Sequence, residues 1–346
     1  MINNLLAYSG IVTKTKAMGK WLITPEDYEK ISNLPTVADF IIFLKNQPGY
    51  KDLFANCDEH ALHRNQIEHI LTNALYMDYS KLFRFANDNQ RNILSFLFFR
   101  YEINILKSCL QQVFDSNSTY DLAAFETFFA KHSDLNLKQL SEAKSLDEFI
   151  LTLKGTEYYA LFQKISQIET ISTLYDYETQ LDIYYYKKVW KLCKNHLKGN
   201  EQKALRDTLG KQIDLLNILW IYRSKKYYNV ESSKIYSSII PIRYKLTNQD
   251  LMRMVEATSV EEFLLVLKAS PYIPKGIDLN QNSVESIYRQ VLNKAYNDNR
   301  HRNPTSMSTL FYYLHLKEQE IDHLTTALEC IRYSLNPSET LKYILE

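Results

Sequence analysis

The chain has 346 residues, 45% of them apolar and 23% charged, with 7 Gly, 8 Pro, 26 Tyr and a formal net charge of +1. That length makes about two or three domains at about 100–200 residues each, and a near-neutral field argues against a nucleic-acid partner drawn in by bulk charge. Four scattered cysteines without a CxxC pair exclude a disulfide scaffold and fit a reducing compartment. Apolar runs such as Phe96-Leu97-Phe98-Phe99 fall well short of the roughly 18 residues that span a bilayer, and Met1-Ile2-Asn3-Asn4 lacks the basic head of a signal peptide.

Residues 5–22 read as a helix that leads to Thr24. Thr24 opens Thr-Pro-Glu-Asp, with Pro25 at the first helical position and Asp27 placed to complete a capping box. Twelve residues on, Thr36-Val37-Ala38-Asp39-Phe40 begins a second capped helix that closes on Leu44-Lys45. Pro48-Gly49 is a turn. A long helix is predicted over about 58–86, through Glu68, Leu71, Leu75, Tyr79 and Leu82, and another over 89–114 that bridges to the next domain. Ser116-Asn117-Ser118 reads as its break.

The capped pair then returns over 133–154, as Ser133 followed by Ser145-Leu146-Asp147-Glu148-Phe149. Residues 157–198 read as helical, Gly199-Asn200 as a break, 202–228 as a second bridging helix, and 230–245 as irregular because of Pro241. A third pair covers 247–268, from Thr247 to Ser259-Val260-Glu261-Glu262-Phe263, and Pro271 and Pro274 end it. Helices are predicted at about 282–297, 305–318 and 319–334, the last stopped by Asn336-Pro337. With strand signals nearly absent, the fold class is all-α.

The spacing of the copies sets the organisation. Phe40, Phe149 and Phe263 lie 109 and 114 residues apart. Tyr50, Tyr159 and Tyr272 end the units, and Glu68, Glu178 and Glu285 open the runs that follow. Tyr101-x-x-Asn104, Asp214-x-x-Asn217 and Glu320-x-x-His323 form a bridging signature. A period near 110 is domain-sized, above the roughly 20–50 residues of solenoid repeats. The expectation is three similar helical domains, 1–92, 93–206 and 207–346, with a C-terminal helix that packs back on the first domain.

Residues suited to chemistry are few. Cys57, His60, His63 and His69 have ligand character, but they lie in one segment, whereas structural zinc draws ligands from separated points. They read as a solvated helix start. Glu178 and Asp182 share a helix face and would suit acid–base work only if burial raised one of them. Lys187, Lys188, Lys191, Lys194 and Lys198 interleave with Tyr185, Tyr186 and Trp190, and Arg223-Ser224-Lys225-Lys226-Tyr227-Tyr228 is similar. Such runs suit single-stranded nucleic acid or an anionic membrane, yet they more simply make solvated faces spread over more than one side. No glycine-rich phosphate loop, nucleophile elbow or HExxH is present. Catalytic, cofactor and metal residues are therefore expected to be none, and a helical nucleic-acid-binding scaffold is the alternative function.

Several segments together resemble a known family. They are Tyr8-Ser9-Gly10 through Leu22-Ile23-Thr24, Arg100-Tyr101-Glu102-Ile103-Asn104-Ile105-Leu106-Lys107, and Glu178-Thr179-Gln180-Leu181-Asp182-Ile183-Tyr184-Tyr185. Ile213-Asp214-Leu215-Leu216-Asn217-Ile218 with Arg223 follows, then Tyr313-Leu314-His315-Leu316-Lys317-Glu318-Gln319-Glu320-Ile321 with Glu329 and Arg332-Tyr333. In this order they resemble the C component of prokaryotic A/V-type ATPases, known as d in eukaryotic V-ATPases, although His323 stands where the family more often has Asn. The resemblance implies a funnel of three domains around a pseudo-threefold axis. It also implies a non-catalytic socket, peripheral to the cytoplasmic face of the membrane. The socket would join the proteolipid rotor ring to the central-stalk subunits D and F for ATP-driven proton or sodium transport.

Overall fold

The structure, a computed structural model, describes residues 2–115, 122–168, 171–273, 279 and 283–345, and contains no strand among them. The predicted breaks at Ser116-Asn117-Ser118 and at Pro274 lie outside the described residues. The chain begins with α1 (Ile2–Gly19), the pair α2 (Pro25–Ser32) and α3 (Val37–Lys45), and the short α4 (Lys51–Phe54). Two long helices follow, α5 (Arg64–Phe85) and α6 (Asp88–Phe114). After α7 (Ala123–Phe129) the pair recurs as α8 (Leu137–Glu142) and α9 (Leu146–Thr152), then α10 (Glu157–Ile165), α11 (Leu174–His196) and α12 (Gly199–Lys226). The last third holds α13 (Ser232–Ser238), the pair α14 (Asn248–Glu256) and α15 (Val260–Lys268), α16 (Val284–Arg302), α17 (Met307–Arg332) and α18 (Pro337–Leu345).

Caps explain where the paired helices start. Thr24 and Thr247 close full capping boxes with Asp27 and Asp250. On the phenylalanine helices the hydroxyls of Thr36, Ser145 and Ser259 accept the amides of Asp39, Glu148 and Glu262 as expected. The return arm differs with side-chain length. The Glu148 and Glu262 carboxylates reach one residue beyond the cap, to the amides of Lys144 (2.9 Å) and Thr258 (2.6 Å). The shorter Asp39 meets only the Thr36 hydroxyl, at 2.5 Å.

Several predicted elements move. The cap of α8 is Asn136, not Ser133. The 157–198 run is two helices, α10 and α11. The stretch expected to be irregular contains α13, and the two helices expected over 305–334 are one, α17. That helix ends at Arg332, before Asn336-Pro337, but a further helix follows: Pro337 opens α18, where a missing amide hydrogen costs nothing at the first helical position.

The chain divides into two compact units, Met1–Ile93 with Leu122–Lys131 and Pro304–Glu346, and Leu94–Asp121 with His132–Asn303. In the first unit, Ile31, Phe40, Leu44, Tyr50, Phe54 and Leu71 share a core with Leu324, Leu328, Ile331 and Ile344. The C-terminal helices thus complete the core begun by the first helix pair. Tyr76 on α5 meets the aromatic face of α7, stacked on Phe128 at 4.7 Å between ring centroids. In the second unit, Leu215, Ile218 and Tyr222 of α12 pack with Leu251, Met254, Phe263, Leu267 and Tyr272. Phe40, Phe149 and Phe263 are each fully buried, so all three copies use the phenylalanine as a core anchor.

Candidate functional site

The feature that repeats most faithfully is a buried carboxylate on a long helix. Asp214 on α12 is 0% exposed. It accepts the amides of Tyr244 (3.1 Å), Lys245 (2.6 Å) and Leu246 (3.0 Å), and the hydroxyl of Tyr272 (2.7 Å). The amides belong to the non-helical approach to α14, which has no helical partners of its own for them. Tyr272 comes from just beyond α15. One side chain therefore ties both ends of a helix pair to one stiff helix. One turn on, Asn217 adds a two-way bond to the backbone of Ile240, donating at 3.0 Å and accepting at 2.9 Å.

The same clasp stands in the other two copies. Glu102 on α6 accepts the hydroxyl of Tyr158 at 2.7 Å and that of Ser133. Glu320 on α17 accepts the Ile23 amide at 2.5 Å and the Tyr50 hydroxyl at 2.6 Å. In each case one donor precedes the first helix of the pair and the tyrosine follows the second. A hydrogen bond to an ionised group contributes about 1.5–3 kcal/mol, so each clasp is worth several times a neutral contact. Burial pushes the hydroxyls of Tyr50, Tyr158 and Tyr272 far above their ordinary range, and the facing carboxylate adds to the effect. All three therefore stay protonated as donors. Burial also raises Glu102, against the pull of its bonds from Ser133 and Tyr158.

The first copy has an extra member. Lys317, 2% exposed, donates to Glu320 at 2.6 Å and to the Tyr50 hydroxyl at 2.9 Å, and lies over the Tyr50 ring. A buried charge is stable only when paired and hydrogen-bonded, and here each ion supplies the other. A methyl group on Gly49 would stand 3.1 Å from the Trp21 carbonyl, a tight approach beside this clasp.

These contacts correct the register read from sequence. The clasp tyrosine of the second copy is the buried Tyr158, while Tyr159 is only partly buried. The residue matching Asp214 and Glu320 is Glu102 rather than Tyr101, and Ser133 serves Glu102 instead of capping a helix. At the position held by Asn217 in another copy, the His323 ring packs edge-on against Tyr28 at 5.4 Å.

The other candidates do not converge. His60 and His63 are exposed, Cys57 Sγ points at the Leu53 carbonyl, and His69 packs against the Phe125 ring. No group of three metal-ligating side chains occurs among the described residues. Burial raises Glu178, but Lys107 pulls it back and pairs with Asp182 at 2.6 Å. Its counterparts are ion-paired: Glu68 shares Arg64 with Glu329, and Glu285 meets Arg223 at 3.2 Å. These acids brace helices. In the lysine run, Tyr185 and Tyr186 are buried and Lys188 bonds Glu157, so those two rings are not offered for stacking and that lysine is already paired. Lys187, Lys188 and Lys191 line an open groove of about 620 Å³. Lys225 donates to the Ala257 carbonyl and Lys226 to the Tyr222 hydroxyl.

Comparison with known proteins agrees with this reading. Over 350 residues the chain is 22% identical to the C subunit of the A-type ATP synthase of Thermococcus kodakarensis, covering 98% of this chain and 90% of that protein. It is 24% identical over 350 residues to the corresponding protein of Archaeoglobus fulgidus, covering 98% and 96%. It is 24% identical over 342 residues to that of Desulfurococcus sp. strain SY, covering 95% and 88%. The profile of a family described as ATP synthase (C/AC39) subunit matches residues 11–343. The chain thus belongs to the ATP synthase (C/AC39) subunit family, as a non-catalytic subunit of a rotary ATPase.

Proposed function

We propose that this chain is the mechanical coupler of its rotary ATPase: a socket that stands on the membrane proteolipid ring and receives the central-stalk subunits D and F. In this reading three similar domains, 1–92, 93–206 and 207–346, surround a pseudo-threefold axis as a funnel. The funnel lies at the cytoplasmic face, peripheral to the membrane, and turns with the ring during proton or sodium transport. The observation that carries the proposal is the clasp made three times, by Glu102, Asp214 and Glu320, each on a helix of 26 to 28 residues. A part that transmits torque needs stiff members and joints that do not slip. Long helices with internal backbone bonds supply the first, and buried charge-assisted bonds supply the second.

Two further facts fit. No helix among the described residues is long and apolar enough to cross a membrane, which suits a part that sits on the ring. Asp182 pairs with Lys107 and Glu285 with Arg223 across helices, and Arg64 joins Glu68 to Glu329. The test is reconstitution of the full chain with a purified D–F shaft and with the purified proteolipid ring. A coupler binds both and bridges them in one complex. A folded chain that binds neither overturns the reading.

A further inference from the structure

The three clasps differ in what faces the carboxylate. At Asp214 one oxygen accepts the Tyr244 amide, and the other accepts the amides of Lys245 and Leu246 and the Tyr272 hydroxyl. At Glu320 one oxygen accepts the Ile23 amide, and the other accepts the Tyr50 hydroxyl and the Lys317 ammonium. Amide N–H and ammonium groups donate and never accept. At both places each oxygen therefore meets at least one group that can only donate, and an added proton would compete with it. Glu102 meets no such group. Among the described residues its two bonds come from hydroxyls, Ser133 on one oxygen and Tyr158 on the other at 2.7 Å.

A hydroxyl donates or accepts as its neighbour requires. With a proton on Oε1, that O–H donates to Ser133 Oγ, while Tyr158 goes on donating to Oε2. Ser133 Oγ has room for it. Its one other incoming bond is from the Leu135 amide at 3.1 Å, and a hydroxyl oxygen has two lone pairs. Two bonds therefore span this helix pair in either state. Burial, at 6% exposure, outweighs the bonds from Ser133 and Tyr158 and raises the carboxyl above its usual range. The charged neighbours largely offset one another. Lys188 of α11 favours the ion and Glu157 of α10 opposes it, and these two are bonded to each other, with Tyr184 of α11 donating to Glu157 at 2.6 Å. On α6 itself, Arg100 acts on Tyr186 and Lys107 pairs with Asp182. Before α8, His132 turns to the Phe98 ring and Asp134 is exposed. Glu157, Tyr184 and Lys188 line the open groove of about 620 Å³, so the residues next to Glu102 stand at the edge of bulk water.

We propose that Glu102 is a proton-binding site: the second clasp takes up one proton from water at this carboxyl and stays closed with or without it. Every residue of the site belongs to one compact unit, and the site stands whether or not the chain is a coupler. Folding favours the neutral form here. The stability it adds is complete below the ordinary glutamate value of about 4.3 and is lost as pH rises through the raised one. Of the three joints, this one alone can exchange a charge-assisted bond for a neutral one without letting go.

The experiment compares the full chain with Glu102→Gln, which has the shape of the protonated carboxyl and cannot ionise. Potentiometric titration should find one more proton taken up by the parent, with a midpoint above about 4.3. The parent-minus-variant infrared spectrum should keep the band of a protonated carboxyl above about pH 5. Glu102→Gln should melt at or above the parent at neutral pH, and that lead should shrink as pH falls. Asp214→Asn and Glu320→Gln set an NH2 group against an N–H, so each should melt at least about 2–4 °C below the parent. The Leu135 amide, corrected for its intrinsic exchange rate, should be equally protected on both sides of the titration. Proton uptake and infrared spectra that match in parent and variant above about pH 5 overturn the proposal. So does a Glu102→Gln chain that fails to fold or melts well below the parent, or a Leu135 amide that loses protection when the carboxyl changes state. Asp214→Asn and Glu320→Gln chains as stable as the parent overturn it too, since the contrast between clasps is then void.

Discussion

Replacing Asp214 by Ala should destabilise the second unit more than any other single change to a polar side chain in the third copy. The carboxylate is fully buried and accepts three amides and one hydroxyl. Alanine leaves all four donors without their acceptor, the Leu246 amide and the Tyr272 hydroxyl in buried positions and the amides of Tyr244 and Lys245 in partly buried ones. At about 1 kcal/mol each, the low end for a buried unsatisfied group, the loss is about 4 kcal/mol. That is a large part of the roughly 5–15 kcal/mol that holds a domain together. Tyr272→Phe is the graded control. It removes one donor and leaves the carboxylate with three amides, so it should cost about 1.5–3 kcal/mol. Guanidinium titration followed by circular dichroism gives both values, with the slope checked for change. Hydrogen exchange at the amides of Tyr244, Lys245 and Leu246 reports the clasp directly. The reasoning is refuted if Asp214→Ala lies within about 1 kcal/mol of the parent, or if those three amides exchange no faster.

Three more outcomes are expected. Phe149→Ala, at a fully buried ring packed edge-on against Phe162, should cost about 3–5 kcal/mol in the same titration, and a loss under about 1 kcal/mol would place that ring outside the core. Gly210→Ala would set a methyl carbon 2.4 Å from Cγ of Tyr244, so it should destabilise by about 1–3 kcal/mol, and adding Tyr244→Ala should recover part of that loss in a double-mutant cycle. The third concerns acid. Burial pushes Asp207 up, but bonds from Lys211, Tyr244 and Asn299 outweigh it and hold the carboxyl below its usual range. Asp27 and Asp176 are likewise lowered, by bonds at their caps that overcome the burial effect. A lowered folded value means that folding favours the ionised form. The stability is complete above about pH 5 and drains away as pH falls through the folded value. Melting temperature should therefore hold from neutrality to about pH 5 and drop below about pH 4, and Asp207→Asn should flatten that drop.

The helix pairs are readable in the sequence because their signals are local. A hydroxyl, an acid three residues on and a phenylalanine or other apolar residue after it are enough to place the starts at Thr24, Thr36, Ser145, Thr247 and Ser259. The clasps are harder to read, because their partners are far apart in sequence. Ile23 and Tyr50 meet an acid 297 and 270 residues away, and no short pattern encodes that. The segments around 101 and 158 also each offer two side chains that fit the repeat within one residue, Tyr101 with Glu102 and Tyr158 with Tyr159. Only packing tells which of the two turns inward. Helices α7 and α13 escape sequence reading for a related reason. Each has seven residues and no side-chain cap, so tertiary contact rather than local preference forms it. The long α17 reads as two helices because Lys317-Glu318-Gln319-Glu320 interrupts its apolar pattern, although Lys317 and Glu320 lie on the same buried face as Tyr313, Leu324 and Ile331.

The first copy of the repeat is finished by residues synthesised long after it. Lys317, Glu320 and Leu324 of α17 and Ile344 of α18 close around Tyr50 and Phe40. The clasps of Glu102 and Asp214, by contrast, close over 56 and 58 residues. Synthesis order therefore inverts folding order: the copy made first waits longest, its apolar face open until Glu320 emerges 270 residues after Tyr50. A nascent-chain stall placed before residue 317 would hold that face in reach of chaperones and proteases, while the second and third copies were already shut.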